Sequence, residues 1–102
     1  TALACMASGA HGCISVVSNV APKPCAELME AVFRGDYAGA LRWQDKLTPL
    51  HAAVFLEPGV AGAKEGLNIL GRMDNAVRLP LLPATAPTRE AIKAAMAHAG
   101  VL

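Results

Sequence analysis

Apolar residues recur at spacings of three and four along most of this chain, which is the period of an α-helix that buries one face. The longest such run begins after Asp36 and continues to about Phe55. Pro49 lies inside it and should kink the helix, because it removes one backbone hydrogen bond. The apolar positions on its shared face are Tyr37, Ala40, Trp43, Leu47, Leu50 and Val54. This stripe is predicted to form a continuous buried surface.

Four shorter helices are predicted around the longest one, each delimited by residues that begin or end helices. Gly35 suits the position after the second helix, and Asp36 suits the N-cap of the helix that follows. Gly62 and Gly66 should weaken the fourth helix by roughly 1 kcal/mol each relative to Ala. The predicted bounds are Ala2–Ser8, Pro22–Arg34, Val60–Leu70 and Thr88 to just before Gly100, with an irregular crossing segment from Arg72 to Ala86.

Only Cys13–Val17 has the composition of a β-strand, because it is a β-branched run introduced by Gly12. A single strand cannot satisfy its own N–H and C=O groups. The segment must therefore pair with a copy of itself in another chain, refold into helix, or stay in water. We favour pairing within a homo-oligomer, since each buried backbone group left unpaired costs roughly 1–3 kcal/mol.

Composition and charge exclude several classes of protein. Hydrophobic residues make up 54% of the 102 residues and charged residues 17%, so disorder is excluded and some apolar surface is expected to pack against another molecule. The net charge is +1 without a basic run, which argues against nucleic-acid binding. No apolar run reaches the roughly 20 residues of a membrane span, and the N-terminal stretch lacks the positive region of a signal peptide.

The cysteines are odd in number and show no CxxC spacing, which is typical of reduced thiols in a cytoplasmic protein. They are Cys5, Cys13 and Cys25. The chain begins at Thr1, which either removal of an initiator Met or a missing upstream region would explain.

No complete catalytic or metal-binding constellation is evident. The widely separated His11, His51 and His98 predict no metal site, and His51 is expected to be a partly buried structural residue. Asp45 and Glu57 are too far apart to form an acid–base pair, and no GK[ST] follows Gly9–Gly12 to make a phosphate loop. Solvated surface positions are predicted for all the lysines, which are Lys23, Lys46, Lys64 and Lys93.

Five motifs in order carry a resemblance to a known family. They are GAHGCISVVSNVAPK, RGDYAGAL, KLTPLHAAVFLEP, VRLPLLPAT and TREAIKAAMAHAGVL. Together they resemble the C-terminal part of dihydrodipicolinate synthase and its relatives, including N-acetylneuraminate lyase, all class I aldolases. Their order and spacing argue against an unrelated helical scaffold that resembles the family by accident.

The resemblance implies a mostly α fragment with at most one strand. Residues 1–34 would be the end of a (β/α)₈ barrel, which needs about 250 residues in full, and residues 35–102 a C-terminal helical domain. The family joins pyruvate to an aldehyde, such as aspartate semialdehyde in lysine biosynthesis, through a Schiff base on a lysine that would lie upstream of Thr1. No cofactor is implied.

Of the family's pocket, the resemblance places only Ile14 in this chain, through its backbone carbonyl near the lysine and pyruvate. Asn19 would follow at the mouth of the strand. Relatives carry a loop resembling NPIPVK where this chain has Gly59–Lys64, so the aldehyde is not fixed by the sequence. The chain alone is expected to be inactive, and the alternative is a non-catalytic assembly module derived from the same family.

Overall fold

The computed structural model describes residues 1–102, which form five α-helices and no β-strand. The mostly α prediction is therefore confirmed, and the helix ends differ from the predicted ones by at most two residues. None of the helices is long and apolar enough to cross a lipid bilayer. The elements are α1 (Ala2–Ala7), a 3₁₀ turn (Val17–Asn19), α2 (Pro22–Phe33), α3 (Tyr37–Ala53), α4 (Ala61–Ile69) and α5 (Ala86–Ala99).

The junction between α2 and α3 shows how local sequence fixes the helix ends. Gly35 has a φ of 77°, a left-handed conformation that Gly adopts without steric cost, and it follows the last turn of α2. The Asp36 side chain then accepts a hydrogen bond from the backbone N–H of Gly39 at 2.8 Å. Asp36 is therefore the N-cap of α3, as predicted.

Helix α3 is the centre of the molecule and packs against α2 on one side and α5 on the other. Four of the six predicted stripe positions are buried, namely Ala40, Leu47, Leu50 and Val54. Trp43 is partly buried against this core, whereas Tyr37 is half exposed and the prediction was wrong for it. Helix α3 continues through Pro49 without interruption.

One hydrophobic cluster draws residues from both sides of the predicted boundary between residues 34 and 35. Val17 and Leu28 on one side share it with Leu47 and Ile92 on the other. The division into two domains stays a prediction, and the two parts pack together in this chain.

The predicted strand at Cys13–Val17 is the main difference from the structure. Residues 10–15 are coil, and Val17 begins the 3₁₀ turn. The physical reason is that this chain offers no second strand to complete a hydrogen-bonded ladder, so β propensity alone cannot form one. Cys13 and Ile14 are exposed, so of the three outcomes considered the single chain adopts the third.

Helix α4 approaches its neighbours closely at the two glycines that were predicted to weaken it. A Cβ added to Gly62 would lie 2.2 Å from the carbonyl oxygen of Val54, and one added to Gly66 would lie 2.8 Å from a methyl carbon of Val20. Both glycines are buried. Their role is to let the backbone of α4 pack against these residues, which a larger side chain would prevent.

Candidate functional site

Ile14, the predicted substrate-binding residue, lies at the most open part of the molecule. Its side chain is fully exposed. Its carbonyl oxygen accepts no hydrogen bond within the chain, and the backbone N–H groups of residues 11–16 donate none to other backbone groups or side chains. The segment therefore leaves the N–H groups of residues 11–16 and the Ile14 carbonyl without a partner within the chain.

The C-terminal end of this segment is held by short-range hydrogen bonds. The Ser18 hydroxyl donates to the Ser15 carbonyl at 2.7 Å, and the Ser18 N–H donates to the Ser15 hydroxyl at 3.2 Å. Asn19, predicted to lie at the mouth of a strand, is in the 3₁₀ turn, and its side-chain amide donates to the Val16 carbonyl at 3.0 Å. These bonds fix where the segment joins the core.

Two cavities border the segment on the side that faces the helices. The smaller, about 250 Å³, is lined by Cys13, Ser15 and Cys25 among others. The larger, about 710 Å³, is lined by Ile14 together with Thr48 and His51 of α3. Neither contains a lysine, aspartate or glutamate side chain. The cavities therefore contain neither a pair of carboxylates for acid–base chemistry nor a lysine amine.

The lysines are in settings that do not favour nucleophilic chemistry. Lys23, Lys46 and Lys93 are exposed, as predicted, and the Lys46 ammonium lies 4.9 Å from the centroid of the Trp43 ring. Lys64 differs from the prediction, because it is half-buried and its ammonium donates to the carbonyl of Ala76. An amine held by a hydrogen bond to a carbonyl is not free to attack a keto group.

All three histidines are exposed and far from a cluster of ligands. His51, predicted to be partly buried, is exposed in part and lines both cavities, and desolvation by its neighbours, together with the positive charge of the Thr1 amine, lowers its pKa below 6.5. No group of three or more His, Cys, Asp or Glu side chains is placed to hold a metal ion. His11 and His98 have no charged side-chain partner.

Glu57, which was not expected to form an acid–base pair with Asp45, has a structural role. One of its carboxylate oxygens accepts hydrogen bonds from the Thr85 N–H at 3.0 Å, the Thr85 hydroxyl at 2.5 Å and the Thr88 hydroxyl at 2.6 Å. These bonds favour the charged form and lower the pKa of Glu57 below 4.5. The side chain thereby connects the chain after α3 to the start of α5.

A polar network that the sequence analysis missed lies between α4 and α5. The Glu65 carboxylate is buried, forms an ion pair with Arg89, and accepts a hydrogen bond from the Asn75 amide at 2.9 Å. Arg89 also donates to the Asn68 side chain at 2.9 Å. The available signal was that Glu65 lies one turn from Ala61 and beside Gly66, on the small-residue face of α4. This network holds helices together and borders neither cavity of the Ile14 segment.

Comparison with known sequences identifies relatives that match the whole chain. The model of the dihydrodipicolinate synthetase family matches residues 1–99. The chain is 70% identical over 102 residues to the 4-hydroxy-tetrahydrodipicolinate synthase of Rhodopseudomonas palustris (strain BisA53). Over the same length it is 67% identical to the corresponding synthase of Nitrobacter hamburgensis. Both alignments cover all of this chain and 34% of the relative, so the chain spans about a third of the length of these curated relatives.

Solved structures agree in fold. A monomeric dihydrodipicolinate synthase variant superimposes with a TM-score of 0.95 at 38% identity, covering 99% of this chain and 34% of that one. The dihydrodipicolinate synthase of Acinetobacter baumannii, in a complex with pyruvate, superimposes with a TM-score of 0.93 at 34% identity, covering 100% of this chain and 35% of that one. With its sequence and its helical fold both matched, the chain belongs to the dihydrodipicolinate synthetase family.

Proposed function

We propose that this chain is the C-terminal portion of a pyruvate-dependent aldolase that condenses pyruvate with an aldehyde such as aspartate semialdehyde, in lysine biosynthesis. The observation that carries the proposal is the 70% identity, over all 102 residues, to a 4-hydroxy-tetrahydrodipicolinate synthase. The pyruvate complex of the Acinetobacter baumannii enzyme supports pyruvate as the first substrate. The Schiff-base lysine is proposed to lie outside this chain.

The proposed contribution of this chain to the site is the backbone at Ile14. A carbonyl that accepts no hydrogen bond within the chain is available to an amine or a substrate brought against it. The unpaired N–H groups of residues 11–16 are likewise available to neighbouring β-strands. The segment supplies polar backbone groups and the remainder of the enzyme supplies the reacting lysine.

The chain alone is proposed to be catalytically silent. Schiff-base formation needs an amine whose pKa is lowered by burial or by a cationic neighbour. Lys23, Lys46 and Lys93 are solvated, and the ammonium of Lys64 is bonded to a carbonyl. The free cysteines are compatible with a reducing compartment such as the cytoplasm.

A chimera and a trapping reaction test this function. The last third of the Rhodopseudomonas palustris synthase is replaced by this chain, and the product is treated with pyruvate and borohydride. The chimera should gain one reduced pyruvate adduct, on a lysine outside residues 1–102, while this chain alone gains none. A folded chimera that traps no pyruvate would contradict the parent reaction. An adduct on any of the four lysines of the isolated chain would contradict its silence.

The second candidate is an assembly module, favoured by the exposed apolar side chains of Ile14 and Phe55 around the larger cavity. Together with the unpaired backbone N–H groups of residues 11–16, they form a surface that a second copy of the chain can cover. Light scattering at micromolar concentration should then report a dimer or larger species, and Ile14→Ser should lower the average mass. Leu79→Ser, a change at another exposed apolar residue that does not line the cavity, is the control. A monomer with rapid amide exchange throughout residues 13–17 would contradict the module.

A further inference from the structure

A cavity of about 360 Å³ lies where α2 ends and α3 begins, and it shares no lining residue with the two cavities beside Ile14. Three cationic side chains border it, namely Arg34, Arg42 and Lys46, and Asp36 is its single carboxylate. Three positive charges less one negative charge give the lining a net charge of +2, which exceeds the +1 of the whole chain. The fold thus concentrates positive charge at this cavity.

Two of the three cations have no acidic partner. Arg34 lies 3.9 Å from the Glu30 carboxylate, whereas neither Arg42 nor Lys46 forms an ion pair. Arg42 and Lys46 are one helical turn apart, a spacing at which like charges repel and destabilise a helix. The Lys46 ammonium lies 4.9 Å from the centroid of the Trp43 ring, which also borders the cavity. An anion bound between these cations would offset their repulsion.

We propose that this cavity binds a small anion that carries a phosphate group. A phosphate group has about −1.5 to −2 charge near pH 7 and three acceptor oxygens. These properties match a lining of net charge +2 with three cationic donors, whereas a single carboxylate offers one charge and two oxygens. Arg34 and Arg42 supply planar guanidinium groups, which hold phosphate through paired hydrogen bonds. The volume of about 360 Å³ is near the lower limit for small-molecule sites, so the whole ligand must be small.

The cavity lies on the side of α3 that faces away from the Ile14 segment. Gln44 and Thr48 of α3 border the larger cavity beside that segment. Arg42 and Lys46 each precede one of these residues by two positions, which places them about 160° away around the helix. The remainder of an enzyme that joins the Ile14 segment therefore approaches α3 from the side opposite the phosphate site. The proposal does not depend on the proposed aldolase function.

Fluorescence and calorimetry test the binding of inorganic phosphate. Trp43 is the only tryptophan in the chain and borders the cavity, so its fluorescence reports on the site. Titration of the intact chain with sodium phosphate at constant ionic strength should give a saturable fluorescence change, and calorimetry should give one phosphate per chain. Added NaCl should weaken the binding, because salt screens exposed charges. The calorimetric titration is repeated on the chimera with the Rhodopseudomonas palustris synthase, where Arg42→Gln should weaken the binding as it does in the isolated chain.

Matched charge variants distinguish a site from a general effect of charge. Lys46→Gln should raise the phosphate Kd about five- to tenfold, as expected for the loss of one partly solvated charged contact. Lys93→Gln, at an exposed lysine of α5, should change the Kd by less than about twofold, because its charge is screened from the cavity. Asp36→Asn should lower the Kd, since it removes the negative charge of the lining while Asn still caps α3. Asp74→Asn, outside the cavity, is its control, and circular dichroism checks that the helices persist.

Four results would overturn the proposal. They are the absence of saturable phosphate binding, equal effects of Lys46→Gln and Lys93→Gln, equal effects of Asp36→Asn and Asp74→Asn, and tighter binding of the dicarboxylate succinate than of phosphate. Binding by the isolated chain that the chimera lacks would also overturn it, because the remainder of the enzyme would then cover the cavity.

Discussion

Glu65 and Arg89 form an ion pair between α4 and α5 in which the carboxylate side chain is 1% exposed and the arginine side chain 40% exposed. The remaining carboxylate oxygen accepts the Asn75 amide at 2.9 Å. No buried side-chain nitrogen or oxygen in the chain lacks a hydrogen-bond partner. A charge this deeply buried is tolerated only while its partners are present.

Arg89→Met should therefore destabilise the chain, because it leaves the Glu65 carboxylate buried with Asn75 alone. Breaking a buried pair costs about 3–5 kcal/mol, and the exposure of Arg89 places this one near the lower limit. Urea unfolding followed by circular dichroism measures the change. The control is Arg34→Met, which removes a surface ion pair to Glu30 and should change stability by less than about 1 kcal/mol. Equal effects of the two substitutions would show that Glu65 is solvated.

Gly62→Ala should destabilise the chain even though Ala is the better helix former by about 1 kcal/mol. The added Cβ would lie 2.2 Å from the Val54 carbonyl oxygen, so α4 must move away from the end of α3, and overpacking typically costs about 1–3 kcal/mol. Gly66→Ala is the matched comparison, because its Cβ meets the side chain of Val20 and a side chain yields more easily than backbone. Thermal unfolding should rank Gly62→Ala as the more damaging. A rise in melting temperature for Gly62→Ala would contradict the close approach.

Leu47→Ala should lower the free energy of unfolding by about 2–5 kcal/mol, since the side chain is 1% exposed at the centre of α3 and its loss leaves a cavity. Leu41→Ala, on the same helix but 48% exposed, should cost much less. Chemical denaturation of the two variants under identical conditions checks the difference. A Leu47→Ala variant as stable as Leu41→Ala would mean that another face of α3 is buried.

Glu57 should make stability depend on pH in the acid range. The hydrogen bonds from Thr85 and Thr88 hold its pKa below 4.5 in the folded chain, so the unfolded chain binds the proton more tightly. Its contribution is present above pH 4.5 and is lost as the pH falls through the lower folded pKa. Carbon-detected NMR titration should place the Glu57 midpoint below 4.5, and Thr88→Val should raise it. A midpoint at or above 4.5 in the unmodified chain would mean that these hydrogen bonds do not lower the pKa of Glu57.

The helices could be predicted from sequence because their signals are local. Gly35 ends one helix and Asp36 caps the next through contacts within a few residues. The burial of Leu47 and Leu50 follows from their helical spacing. Glu65 and Arg89 are 24 residues apart, so nothing local to either residue shows that α4 and α5 bring them together. The strand predicted at Cys13–Val17 is absent although its residues favour β structure, because a strand needs a second strand to pair with.

The hydrogen bonds between Glu57 and Thr85 join points 28 residues apart, so α4 and the crossing segment form a loop whose two ends are fastened to each other. Residues 73–76 are bound to α4 through Asn68, Lys64 and Glu65, whereas Leu79 and Leu82 are exposed. A change of chain length between residues 77 and 80 would therefore be absorbed at the surface, without altering how α5 meets α3. This stretch is the natural place to insert a tag or a reporter sequence while the helical core keeps its arrangement.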